Sequence, residues 1–281
     1  MSRTAKKRTR KRTRKETPTK TIVTAAVATV AFGAPLQASS SDHDEIPFAV
    51  AEVFFELNNT DGDLGIHALI DGEPWKELEI EDPREREILD VRVKRRLRRQ
   101  GLTEIFFESA EPTFDELPPR RFFRRFPAGE YEIGGTTTGG EELESIAELT
   151  HLIPAPAMVA VNGEPMSEDC DDEEPGFAPT EVAAPVVIDW DAVTLSHGEL
   201  GSPTSSPSIV IHNYQVVVET DVEVDGDELE VIFSAELPPG VTSMTVPAEF
   251  LALSDEFKYE VLAREESFNQ TAVESCFVLV D

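Results

Sequence analysis

Residues that most often carry enzyme chemistry are scarce in this sequence. Its 281 residues include two Cys, five His, two Trp and three Tyr. It contains no Gly-x-Ser-x-Gly, His-Glu-x-x-His or Cys-x-x-Cys motif, the signatures of serine hydrolases, zinc peptidases and thiol oxidoreductases. The glycine-rich run at 134–140 lacks the Gly-Lys-Ser/Thr of a phosphate-binding loop, so we predict a turn between strands there. These absences predict a protein that is not an enzyme.

Basic residues are scarce after the first twenty positions. Residues 1–20 hold ten of the 25 Lys and Arg and only one of the 55 acids, and residues 21–38 carry no charge. The chain after residue 38 therefore has 15 basic and 54 acidic residues, a net charge of -39. Such a surface repels nucleic acid and anionic lipid, and it suits a protein kept soluble in salt or one that binds cations. We therefore expect no nucleic-acid partner.

Long apolar runs are also missing, apart from the uncharged stretch at 21–38. A basic segment followed by an apolar one and by small residues is the layout of a secretory signal peptide, with cleavage near Ala38. The basic run alone would also suit a nucleic-acid-binding arm, but the apolar run after it favours export. Gly33, Pro35 and the short length disfavour a membrane anchor. We predict a secreted, periplasmic or cell-envelope protein with no membrane span after cleavage.

The two cysteines are Cys170 and Cys276. An even number in an exported chain predicts one disulfide between them. A zinc site would need more ligands than two cysteines and scattered histidines supply, and a catalytic thiol would need a nearby His. Cys170 lies in an acidic segment at 163–179 that also contains Pro and Gly, which predicts an exposed loop. Cys276 lies in the last predicted strand.

Short runs of alternating apolar and polar residues recur from residue 48 onwards. In the first part of the chain they cover 50–57, 66–72, 75–80, 88–93, 102–107, 127–133 and 145–153. Turn signals such as Asp71-Gly72 separate them, and one helical turn is expected within 115–126. Strands at this spacing predict a β domain of unassigned type over 45–152, after a mobile leader at 39–47. Pro154-Ala-Pro156 marks the start of a second domain at 153–281, so we predict an all-β protein of two sandwich-like domains.

A pattern of aromatic and β-branched residues marks the second domain. It comprises Trp190 on an early strand, Tyr214, Val216 and Val218 on a middle one, and Leu251, Phe257, Tyr259, Val261 and Ala263 on a late one. This pattern resembles the fibronectin type III domain over about 154–281, and the first domain resembles a unit that accompanies type III domains in secreted bacterial proteins. The resemblance implies a sandwich that serves as a spacer or binding module. One position departs from the family, because its tyrosine corner falls on Phe257, which has no hydroxyl.

A polar run between the first two predicted strands, 58–65, is the sharpest candidate site. Oxygen ligands at alternate positions, with a Gly between carboxylates, suit a hard cation such as Ca²⁺. The predicted ligands are Asp61, Asp63, Asn58 and Asn59, with Glu56, Asp71 or Glu73 able to complete the shell. The run lacks the later Glu of an EF-hand, and it also suits a turn in which Asn and Asp bond their own backbone. No cofactor is predicted to be required, and calcium is the candidate.

A basic zone at 84–125 is the second unusual feature, since it holds 12 of the 15 basic residues after residue 38. Phe122, Phe123 and Phe126 lie beside it in the sequence. The zone predicts a docking patch for an anionic polysaccharide or an acidic protein surface. Local pairing with Glu85, Glu87, Asp90 and Glu104 is the alternative. The candidate binding residues are Arg95, Arg96, Arg98, Arg99, Arg121, Arg124 and Arg125.

The function predicted from these features is that of a secreted, non-enzymatic binding or spacer protein with a type III-like module. The alternative is a carbohydrate-active or enzyme-accessory module. In that case the domain at 45–152 would bind a polymer, and calcium at Asp61 and Asp63 would stabilise it.

Overall fold

A computed structural model of the protein describes residues 45–167, 170, 178–201 and 207–280. The predicted signal peptide, the leader up to residue 44 and most of the acidic loop lie outside these residues. The described residues form one compact unit. Within the described ranges, no helix has both the length and the hydrophobicity needed to cross a membrane.

Strands dominate the described residues, which confirms the all-β prediction. The strands are β1 Val50–Asn58, β2 Asp63–Asp82, β3 Arg86–Arg92, β4 Leu102–Glu108, β5 Gly129–Thr137, β6 Glu142–Leu149, β7 Val159–Val161, β8 Glu164–Pro165, β9 Thr180–Val182, β10 Val187–Trp190, β11 Ile211–Val224, β12 Asp227–Leu237, β13 Ser243–Thr245, β14 Glu256–Glu265 and β15 Gln270–Leu279. The helices are α1 Leu97–Gln100, α2 Pro119–Arg125 and α3 Ala248–Leu251. The predicted helical turn is α2, which begins with Pro119 at a position that needs no backbone N–H donor.

Two sheets make the fold sandwich-like. The large sheet has the order β12-β11-β14-β15-β1-β2-β5-β6, with β3 and β4 paired to β2 and β9 paired to β15. The small sheet has the order β13-β10-β7-β8. Between the sheets lies a buried cluster in which Trp190 packs on Tyr214 and Phe257 stacks on Phe277. Alternate residues of β10, β11 and β14 reach this core because side chains alternate along a strand.

A second buried cluster fills the first half of the chain. Phe55 lies at its centre and contacts Phe122 of α2, and Trp75 and Tyr131 are fully enclosed. The Tyr131 hydroxyl donates to the carbonyl of Pro127 at 3.1 Å, a bond to the backbone just upstream like that of a tyrosine corner. At the position of the family's tyrosine corner, Phe257 is buried, stacks on the Phe277 ring and contacts the Phe250 ring.

One predicted turn is wrong, and another is shorter than predicted. Strand β2 runs through Asp71-Gly72, and its register shifts there, between Asp71 and Trp75. Gly72 permits this path because a Cβ at that position would lie 2.9 Å from the Phe48 ring. The glycine-rich run at 134–140 is mostly strand, since β5 extends to Thr137 and the turn follows. A Cβ at Gly135 would lie 2.9 Å from the Glu77 carbonyl, so these glycines serve close strand packing.

The two halves share the large sheet through a parallel pairing of β1 with β15. The paired residues are Glu56 with Gln270, Leu57 with Thr271 and Asn58 with Ala272. The two buried clusters lie on either side of the boundary predicted near residue 153. The division into two domains remains a prediction, and the large sheet is continuous across the predicted boundary.

The predicted disulfide is present. Cys170 and Cys276 are bonded, with their Cα atoms 5.7 Å apart. It ties the acidic segment to β15, next to the parallel pairing of β9 with β15.

Candidate functional site

Acidic residues collect on one face of the large sheet, opposite the face that packs on the small sheet. Glu260 of β14 pairs directly with Glu274 of β15, and directly opposite residues point to the same face. Asn58 of β1 reaches the same group, since its side-chain amide donates to Glu274 Oε1 at 2.9 Å. Glu56 lies two residues before Asn58 and therefore shares this face. The parallel pairing of β1 with β15 thus brings acids from both halves together.

His67 of β2 lies between Glu56 and Glu111 and is only 3% exposed. Its Nε2 lies 3.0 Å from Glu111 Oε1, and its Nδ1 lies 3.7 Å from Glu56 Oε2. One ligand atom from each of these three residues lies within 4.8 Å of the others, which is close enough for a shared metal ion. The Gln270 side-chain amide donates to Glu56 Oε2 and orients that carboxylate. Glu111 comes from the loop after β4, whereas Glu56 and His67 lie on adjacent strands.

Burial changes the acid–base properties of the group. It raises the pKa of Glu111 to about 7. Burial also raises the pKa of Asp63 to about 7, helped by the charges of Glu111 and Asp61, and that of Glu274 to about 7, helped by Asp61 and Glu219. Burial lowers the pKa of His67, although the charges of Glu56 and Glu108 oppose this shift.

The pH dependence of stability in chelator-treated protein should follow from these shifts. The pKa values of Asp63, Glu111 and Glu274 are higher in the folded chain than in the unfolded one, so the folded chain binds more protons between about pH 4.5 and 7. Stability should therefore fall by about 2 kcal/mol or more as pH rises through this window. The lowered pKa of His67 has the opposite effect, since this one residue makes stability rise with pH. Urea unfolding at pH 5 and pH 7.5 measures the difference.

Two substitutions serve as the comparison in that experiment. Glu111→Gln removes one shifted group and should flatten the profile, whereas Glu116→Gln changes an exposed acid and should leave the slope unchanged. Equal slopes in all three proteins would contradict the assignment of the effect to this group.

The residues predicted to bind calcium form the turn between β1 and β2. Asn58 Oδ1 accepts from the backbone N–H groups of Thr60 and Asp61 at 3.0 and 3.1 Å, the Asx-type turn that was the alternative interpretation. Both lone pairs of this oxygen are thereby engaged. Asp61 and Asp63 stand close enough for the charge of Asp61 to raise the pKa of Asp63. Asn59 is exposed, and its backbone N–H donates to the Ala272 carbonyl.

The predicted basic patch lies on two separate short elements. Arg95 and Arg96 precede α1, which carries Arg98 and Arg99, while Arg121, Arg124 and Arg125 lie on α2. Arg98 pairs with Glu77 at 3.1 Å, and Arg92 pairs with Asp90 at 3.0 Å, so part of the zone is locally paired. The phenylalanines beside it face inward: Phe122, Phe123 and Phe126 all contact the Phe55 ring.

Four residues of this group were not predicted from the sequence: His67, Glu111, Glu260 and Glu274. A usable signal was present for two of them, because Glu260 and Glu274 interrupt otherwise apolar strands. Nothing local marked His67 or Glu111, since they lie 44 residues apart. Glu56, named as a residue able to complete a cation shell, is part of the group, whereas Asp71 lies in the stretch of β2 that pairs with β4.

No protein-family model matches the sequence. No curated protein matches it either. Among solved structures, the chain is similar to the tetra-tandem repeat in the extending region of a large adhesion protein, at 11% identity and a TM-score of 0.22, covering 82% of this chain and 50% of that one. A 1.5-MDa bacterial ice-binding adhesin matches at 10% identity and a TM-score of 0.21, and the match covers 84% of this chain and 65% of the adhesin chain. A Ca²⁺-stabilized adhesin of an Antarctic bacterium matches at 12% identity and a TM-score of 0.21, and the match covers 83% of this chain and 49% of the adhesin chain.

In each case the chain spans less than two thirds of the length of its neighbour. Likeness at these TM-scores carries no argument about fold, ligand or partner.

Proposed function

We propose that the chain is an exported, non-enzymatic binding or spacer protein that works in the cell envelope or outside the cell. The observation that carries this proposal is the disulfide between Cys170 and Cys276, because disulfides persist in oxidising compartments. The signal-peptide pattern at 1–38 supports the same compartment.

Continuity of the large sheet supports the role of a spacer. Backbone hydrogen bonds join β1 of the first half to β15 of the second, so both buried clusters pack on one sheet. A unit built this way resists bending at its middle. The second half is proposed to be a type III-like module, and its support is the arrangement of β7, β10 and β13 in one sheet against β11, β12, β14 and β15 in the other.

The binding role is proposed for the basic zone at 84–125. Lys94 to Gln100 are all exposed, so their charges are accessible to an anionic polysaccharide or an acidic protein surface. Calcium is proposed for Asp61 and Asp63 at the β1–β2 turn, where two close carboxylates repel each other and a cation would offset the repulsion.

Export is tested by expressing the full chain in a host with a secretory pathway and sequencing the N-terminus of protein recovered outside the cytoplasm. We expect the chain to begin near Ser39, because cleavage after Ala38 fits the small-residue rule. Thiol titration of the denatured, unreduced protein should find no free thiol. Recovery of an intact Met1 outside the cytoplasm, or of two free thiols, would contradict the proposal.

A further inference from the structure

Glu111 reaches the β1–β2 pair because Gly65 has no side chain. A Cβ at Gly65 would lie 2.3 Å from Glu111 Oε1 and 2.8 Å from its Cγ, so any other residue would displace this carboxylate. Gly65 is the cross-strand partner of Glu56, and His67 lies two residues further on the same face. The missing side chain thus forms a cradle in which Glu111 meets Glu56 and His67.

Glu260 is a further buried acid on this face of the large sheet, paired across the strands with Glu274. It is 2% exposed, and among the described residues its Oε2 has no hydrogen-bond partner. Burial, and then the charges of Glu56 and Glu274, raise its pKa well above the usual range. An unpartnered carboxylate oxygen in the interior is costly unless a cation or a proton satisfies it.

Among the described residues, the ion-pair partner of Glu56 and Glu111 is His67. Within the described part of the chain, no Lys or Arg forms an ion pair with Glu56, Glu111 or Glu260. Arg264, the nearby cation, lies over the Phe54 ring at 4.7 Å and pairs with Glu52 at 3.8 Å. Among the described residues, these buried carboxylates therefore have no directly paired Lys or Arg, although the charge of Arg264 reaches His67.

We propose that Glu56, His67 and Glu111 bind a divalent transition-metal cation of the zinc class. Imidazole nitrogen together with carboxylate oxygen is a ligand set typical of Zn²⁺, whereas Ca²⁺ takes oxygen ligands only. The site differs in residues and in ligand type from the calcium site proposed at Asp61 and Asp63. A metal ion here would fasten the loop after β4 to β1 and β2, beside the strand pairing that joins the two halves.

Calorimetric titration of the full chain tests the proposal, after chelator treatment and in about 0.15 M salt to screen the surface charge. The probes are ZnCl₂ and CaCl₂, each alone. Wild type should bind Zn²⁺, and His67→Gln and Glu111→Gln should each weaken binding by at least about tenfold. Gly65→Ala keeps all three ligands but displaces Glu111, so it should weaken Zn²⁺ binding as well. The double variant Asp61→Asn/Asp63→Asn should bind Zn²⁺ like wild type.

Two control variants test whether zinc binds elsewhere on the chain. His212→Gln changes an exposed histidine and Glu116→Gln an exposed acid, and both should bind Zn²⁺ like wild type. Glu111 lies in a loop, so Glu111→Gln should fold even where His67→Gln does not, and thermal unfolding checks each variant. The proposal is overturned if wild type binds no Zn²⁺, if folded Glu111→Gln binds it as tightly as wild type, or if Glu111→Gln weakens Ca²⁺ and Zn²⁺ binding equally.

Discussion

Replacing Asn269 with Ala is expected to lower the free energy of unfolding by about 4 kcal/mol. Asn269 is fully buried in the turn between β14 and β15. Its Oδ1 accepts from the Phe55 N–H at 2.8 Å, and its Nδ2 donates to the carbonyls of Leu152 at 2.8 Å and Thr150 at 3.1 Å. One side chain therefore connects β1, the segment after β6 and the β14–β15 turn. Its removal leaves several buried backbone groups without partners, at about 1–3 kcal/mol each.

Urea unfolding of wild type and Asn269→Ala measures this loss. Asn59→Ala is the control, because Asn59 is exposed and the substitution should change stability by less than about 0.5 kcal/mol. A loss below about 1 kcal/mol for Asn269→Ala would show that water replaces these bonds and that the side chain is not a structural link.

Removing the disulfide is expected to cost about 4 kcal/mol. The bond joins residues 106 positions apart, so it restricts a long stretch of the unfolded chain, and the entropic benefit of a cross-link grows with the length of the closed loop. Cys276 is buried on β15, whereas Cys170 belongs to the acidic segment. The appropriate variant is Cys170→Ser/Cys276→Ala, because Ala adds no polar group to the buried position.

Thermal and urea unfolding is measured for wild type and for this variant, each with and without a reducing agent. The stability of wild type should equal that of the variant only under reducing conditions. The variant itself should not respond to the reducing agent, which separates loss of the disulfide from other effects of reduction. Equal stability of oxidised and reduced wild type would contradict the prediction.

Local sequence was sufficient to predict the all-β fold class and the covalent link. Alternating residues placed Trp190, Tyr214 and Phe257 on core-facing positions, because a strand repeats every two residues. Two cysteines in a chain predicted to be exported allow one intramolecular disulfide. The turn at Asn58 was also predictable, because an Asn side chain bonds its own backbone two or three residues on.

Tertiary structure alone decided which strands are neighbours. Alternation indicates the two faces of a strand but not its partner, so the pairing of Glu56 with Gln270 could not be inferred from either segment. The group around His67 depends on that pairing and on Gly65, whose missing side chain admits a loop residue 46 positions away. The sequence by itself determined the fold class, the disulfide and the compartment predicted for the protein. The residues of the proposed metal site are brought together by contacts between distant strands, which local sequence does not specify.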